Sequence, residues 1–181
     1  MVNMGFLERR TGAVDMFNLG SMFNLGPSEP VVGRANILIE CTAEKVFKYI
    51  GEDLFLNYPK WSPEVKELEQ LSDGPVQLGT LARQVRVDHG HRSESKFRIT
   101  IHEPYCRVGF AGVSEPFRCI YELLDGNSPN SVNLVFTFEL LEIQVLMRPF
   151  EQLIRSAVQE GAEQTVRNIK RLVEAGCTSK T

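Results

Sequence analysis

Among the 181 residues no apolar run approaches the roughly 18 that a membrane-spanning helix needs. Charge of one sign is also missing. Lys and Arg number 20 against 23 Asp and Glu, a net -3 that gives no global attraction for nucleic acid. The N-terminus lacks the apolar stretch of a secretory signal, and Val2 after Met1 does not fit the Met-Gly start of a myristoylation signal. Cysteine is sparse and scattered. Cys41, Cys106, Cys119 and Cys177 form no CxxC pair and no zinc spacing, which points to reduced thiols in a cytoplasmic protein. No nucleophile elbow, Walker loop or Gly-rich dinucleotide turn appears, so no cofactor is expected. His89 and His91 flank Gly90 after Asp88, but two ligands on a hairpin turn without a third at fixed spacing make no metal site. What remains is ordinary for a folded chain. Apolar residues make up 43% and charged residues 24%, enough for one domain with a sizeable core and against disorder or a fibre.

Residues 1–30 differ in texture from the rest. They carry a short direct repeat, Met16-Phe17-Asn18-Leu19-Gly20 and then Met22-Phe23-Asn24-Leu25-Gly26, and Pro27 and Pro30 close the segment. Two copies are too short for a solenoid unit. Two readings stand. Either the arm lies back on the domain, or Phe17, Leu19, Phe23 and Leu25 are exposed anchors for a protein partner, a membrane surface or self-association.

From Val31 the periods change. Ala35, Ile37 and Ile39 alternate with polar positions as a half-buried strand, and Thr42 caps a short helix from Ala43 to about Ile50. A second helical turn, Asp53 to Tyr58, runs into a corner at Pro59-Lys60-Trp61-Ser62-Pro63. Six strands follow, over about 65–71, 80–88, 93–103, 107–113, 117–124 and 132–142, with short turns between them that make neighbours antiparallel. A helix from about 148 to 175 carries one broad apolar stripe and ends at Gly176. The sum is an α+β domain over 31–176, with 177–181 as a tail.

Four stretches carry a resemblance. Ile37-Leu38-Ile39-Glu40-Cys41-Thr42-Ala43-Glu44-Lys45-Val46-Phe47 resembles the opening of the START-like or SRPBCC superfamily, the polyketide cyclase/dehydrase and lipid-transport group. Thr42 stands where that group usually has proline. Tyr58-Pro59-Lys60-Trp61-Ser62-Pro63 is similar to its tryptophan corner, Leu78-Gly79-Thr80 to the start of its third strand, and Asn168 to Glu174 to its closing helix. The resemblance implies a helix-grip fold. A curved antiparallel sheet would wrap round a long C-terminal helix, with two short helices after the first strand and a cavity between sheet and helix.

Alternation places Arg83 and Val85 inward on one strand, then Phe97 and Ile99, Phe117 and Tyr121, and Phe136 and Phe138 on the next ones. Ala157 and Gly161 present little volume from the helix. Gly161 admits two explanations, close packing of helix on sheet or room for a ligand. With Trp61, these residues form the candidate ligand site. Arg83 and Tyr121 supply its polar end, although Arg83 also suits a strand-end ion pair. Ser93 and Ser95 fall on the same inner face, His102 falls outside, and Glu103 is the single inward acid. The expected function is binding or transfer of a small hydrophobic ligand such as a lipid, a quinone or a polyketide. The alternatives are a protein-interaction module working through the arm and a cyclase/aromatase-like enzyme. The lack of an inner acid–base pair weighs against the enzyme.

Overall fold

The computed structural model describes residues 29–88 and 90–178. Strand β1, Val31–Ile39, buries Val31, Ala35 and Ile39 on the period of two that the sequence carries. Thr42 then caps α1, Ala43–Phe47, its hydroxyl accepting from the Lys45 N–H at 3.5 Å. A wide π-helical turn over Lys48–Glu52 leads into α2, Leu54–Trp61. The second helix therefore does not stop at Tyr58. It passes through Pro59, which forgoes one backbone bond, because Leu54, Tyr58 and Trp61 share a buried face one and two turns apart.

Six further strands are β2 (Val65–Gln70), β3 (Leu81–Asp88), β4 (His91–Glu103), β5 (Arg107–Gly112), β6 (Phe117–Asp125) and β7 (Val132–Leu140). Every neighbouring pair is antiparallel, in the order β1-β7-β6-β5-β4-β3-β2, so the first strand closes on the last. Gly90 takes φ 84° at the β3–β4 turn, a value that an L side chain rarely adopts. Asp88 then pairs with His91, and this fixes every later pair in the hairpin.

That register corrects two face assignments. Gln84 sits opposite Ser95 and Arg86 opposite Ser93, whereas Arg83 faces Lys96 and Val85 faces Glu94. Arg83 and Val85 therefore lie on the outer face, and Ala82, Gln84 and Arg86 on the inner one. The second correction concerns β4. A bulge between Ile99 and Ile101 turns the strand over, so His102 points to the inner side and stands edge-on to Phe47 at 5.4 Å. Glu103 is exposed and pairs with Arg107 at 2.6 Å.

A 3-10 turn, Val145–Phe150, leads from β7 into α3, Glu151–Thr178. The C-terminal half of α3 packs through Ala162, Val166, Ile169 and Val173, one stripe at helical spacing. Its N-terminal half does not bury a comparable stripe, and Ala157 and Gly161 are exposed. The helix rests chiefly on β1. Closest approach comes at Gly33, where a Cβ would lie 2.5 Å from the Val158 carbonyl oxygen. Gln159 reinforces that line, accepting from the Arg34 N–H and donating to the Arg34 carbonyl, both at 3.1 Å.

Gly176 does not end the helix. Two further side chains and one covalent bond hold its last turns. Lys170 Nζ donates to the Leu38 carbonyl at 2.6 Å, and Glu174 Oε1 accepts from the Glu40 N–H at 2.8 Å. Cys177 is joined to Cys41 as a disulfide, with Cα atoms 6.2 Å apart. The expectation of four reduced thiols thus fails for this pair, because the fold brings together residues 136 apart in sequence. Cys106 and Cys119 are free. The result is a helix-grip fold, a curved seven-stranded sheet around a long C-terminal helix.

Candidate functional site

Because α3 is drawn to β1, a cavity of about 690 Å³ opens between the helix and strands β3, β4, β6 and β7. Its apolar wall comes from Phe117, Tyr121, Phe136 and Phe138, with Trp61 and Tyr58 closing the end near α2. The rings interlock: Tyr121 lies 4.7 Å from Phe136 and Tyr58 5.5 Å from Trp61. From the helix, Ile154, Ala157, Val158 and Gly161 face the space. A Cβ added to Gly161 would meet nothing within 4 Å. Close packing of helix on sheet therefore belongs to Gly33, and Gly161 sits over open volume. Asn168 ties the helix to the tryptophan corner, donating to the Trp61 carbonyl at 2.9 Å.

The polar end is built on β3 and α2. Arg86 donates to Asp88 through Nε and Nη2, each at 3.3 Å, and to Ser62 Oγ at 3.4 Å, with Glu64 4.0 Å away. Burial opposes its charge, but the Asp88 hydrogen bonds and the nearby Asp88 and Glu64 carboxylates favour it, and the guanidinium stays cationic. Burial pushes the Tyr58 hydroxyl well above the tyrosine range, Cys119 adds to the shift, and Arg86 and Ser62 offset it in part. Tyr121 is raised for the same first reason. The Cys119 thiol is pushed up to about 12 by burial, against a smaller opposing effect of Arg86. At neutral pH these groups are hydrogen-bond donors, and neither a thiolate nor a phenolate is present to act as nucleophile or base.

Two buried polar atoms at this end have no protein partner. Gln84, 3% exposed, donates through Nε2 to Ser95 Oγ at 3.1 Å and leaves Oε1 unsatisfied. The Trp61 indole N–H approaches the Tyr121 hydroxyl without making a well-formed bond. Both residues line the cavity, so a small shift of either side chain would present an unsatisfied acceptor or donor to a ligand. Among the described residues no three His, Cys, Asp or Glu side chains converge on a point that could hold a metal.

Of the residues named from sequence, Trp61, Phe117, Tyr121, Phe136, Phe138, Ala157 and Gly161 line this cavity. Phe97 and Ile99 point inward but are sealed in the core, Phe97 against Phe110 at 4.5 Å. Arg83 is outside it, held by Glu94 at 2.7 Å and Glu67 at 3.2 Å, and Val85 is buried on the same outer face. Phe17, Leu19, Phe23 and Leu25 fall outside the described residues, as does His89. Sequence reasoning passes over Arg86, Gln84 and Tyr58 as site residues. The signal for the first two is nonetheless present. A two-residue turn at His89-Gly90 places Arg86 opposite Ser93, and Ser93 already reads as inward.

Solved structures of similar shape are numerous, and the three that follow, each at 20% identity or less, bear on the fold alone. The Zhui aromatase/cyclase from Streptomyces sp. R1128 superposes with a TM-score of 0.69 at 12% identity, covering 83% of this chain and 98% of its own. A protein from Thermus thermophilus gives 0.63 at 20% identity, with 80% and 98% covered. A polyketide-cyclase-like protein from Corynebacterium glutamicum gives 0.58 at 16% identity, with 84% and 96% covered. No curated protein matches the chain. The family model described as polyketide cyclase / dehydrase and lipid transport matches residues 31–174, from the first residue of β1 into the last turns of α3, and the chain belongs to that family.

Proposed function

We propose that this protein binds or transfers a small hydrophobic ligand, held between the aromatic inner sheet and the Ala157–Gly161 stretch of α3. The open volume above Gly161 carries this reading. A glycine in a helix interior costs about 1 kcal/mol relative to alanine, and nothing within 4 Å of the added Cβ requires it here. The ligand is apolar along most of its length and polar at one end, where Arg86 donates, Gln84 Oε1 accepts and Tyr58 stands alongside. Lipid, quinone and polyketide-like molecules share that chemistry.

The test is ligand uptake by the full chain, read in native mass spectra against denatured ones and with a soaking panel of such molecules. Gly161→Leu should abolish uptake while the melting temperature holds, because the new side chain fills empty volume. Unchanged uptake in that variant, or a panel without a single mass gain, overturns the proposal.

A second reading is a cyclase/aromatase-like enzyme in which Arg86 and Tyr58 polarise ligand carbonyls. The guanidinium at the cavity end favours it. Turnover of a poly-β-keto substrate that vanishes in Arg86→Ala while affinity is partly kept distinguishes this from simple carriage.

A further inference from the structure

The exposed apolar surface of this molecule is unevenly spread. Thirteen large apolar residues are exposed among the described residues, and six of them, Leu141, Val145, Leu146, Met147, Phe150 and Leu153, fall between the end of β7 and the first turn of α3. Leu146 is 85% exposed and Leu153 68%. So dense an apolar cluster calls for a cover.

The chain itself brings a cover to this place. Val31 pairs with Leu140, so the segment before β1 leaves the sheet at the same end at which β7 runs into the 141–153 stretch. That segment holds the two Met-Phe-Asn-Leu-Gly copies at 16–20 and 22–26, and the stretch from 16 to 26 contains no charged residue. At about 3.3 Å per extended residue, Leu25 reaches some 17 Å from Pro30 and Phe17 some 43 Å. Both spans exceed the roughly 12 Å rise of a six-residue 3-10 turn. Tethering raises the effective concentration of each copy into the millimolar range, so weak apolar anchors suffice.

We infer that residues 16–26 of this chain dock on the patch formed by Val145, Leu146, Met147, Phe150 and Leu153 of the same molecule. Phe17, Leu19, Phe23 and Leu25 are the anchors, and the repeat gives two alternative segments for one surface. The inference is independent of what the cavity binds, because none of Val145, Leu146, Met147, Phe150 and Leu153 lines it.

Hydrogen exchange of the full chain tests it, with Phe17→Ser/Phe23→Ser and Leu146→Glu as variants. The arm substitutions precede β1 and alter no residue of the sheet or of α3. The amides of 145–153 should exchange at least about fivefold faster in either variant than in the unaltered chain. Combining the variants should add nothing, and the amides of 16–26 should lose protection in Leu146→Glu. The protection should survive about a hundredfold dilution, as an intramolecular contact must. Equal exchange in all variants overturns the inference. So does protection that fades on dilution, which assigns the patch to a second copy, and so does protection that appears only with phosphatidylcholine vesicles, which assigns it to a membrane surface.

Discussion

Two arginines three residues apart on β3 have opposite fates, and the difference can be measured. Arg83 sits in an exposed cluster with Glu94 and Glu67, whereas Arg86 faces the cavity beside Tyr58 and Asp88. Arg83→Ala should leave ligand uptake unchanged in the mass-spectrometric assay. Arg86→Ala should weaken ligands with a polar end by roughly tenfold or more, since a charge-assisted bond is lost. Uptake reduced only in Arg83→Ala would invert the assignment. The buried Cys119 thiol gives a pH prediction whose sign follows from its direction of shift. It is raised from an ordinary 9.0 to about 12, so its contribution to stability is complete below pH 9 and is lost as the unfolded chain ionises between 9 and about 12. Tyr58 and Tyr121 extend the loss in the same direction from pH 10 upward. Denaturant midpoints should therefore fall on the alkaline side, and Cys119→Ala should flatten the start of that fall near pH 9.

At the scale of elements, the contrast between two glycines is sharper than any helix propensity. Gly33→Ala drives a methyl into the Val158 carbonyl and should destabilise the fold by about 1–3 kcal/mol as α3 is pushed from β1. Gly161→Ala meets nothing and should stabilise it by about 0.5–1 kcal/mol. Thermal denaturation of the two variants checks both signs. Most elements can be read from the residues, because turn chemistry at Gly74-Pro75, Gly90, Pro104 and Gly126 breaks the strands where the structure breaks them. The face of β3 reads wrongly for a physical reason. Leu81, Val85 and Val87 are its most apolar positions, yet that side is covered by neighbouring outer-face side chains, and the inner side is left to Ala82, Gln84 and Arg86. Hydrophobicity alone points the wrong way wherever a strand lines a polar cavity end. The bulge beyond Ile99 falls on Thr100, which carries no turn signal, and its one glycine, Gly109, lies across the ladder on β5, so the inversion at His102 is not legible from β4 itself. For the cavity, the small residues of α3 are legible and the register of β3 is decisive.

On the scale of the whole molecule, the Cys41–Cys177 bond closes a loop with a sequence separation of 136, almost the entire domain. Loop-closure entropy for such a length is about 4–5 kcal/mol. Dithiothreitol, or Cys177→Ser, should lower the melting temperature and speed exchange in the last two turns of α3, with little effect near Gly161. No change in melting temperature would mean that Lys170 and Glu174 hold those turns unaided. The expectation of a reducing cytoplasm sits uneasily with this bond, which persists best where thiols are oxidised. The mass of the protein isolated without reductant, two hydrogens lighter than the dithiol form, reports which state it holds. The several ties between α3 and β1 also have a mechanical meaning. Val158 on Gly33, Gln159 on Arg34, Lys170 on Leu38 and Cys177 on Cys41 all lie along one long edge of the helix. A door hung on that edge has its opposite side over the cavity, latched at one point by Asn168 on the Trp61 carbonyl. If the proposed guest needs more room than the cavity holds, the expected motion is a small swing about that hinge line, with the disulfide as its lowest pin.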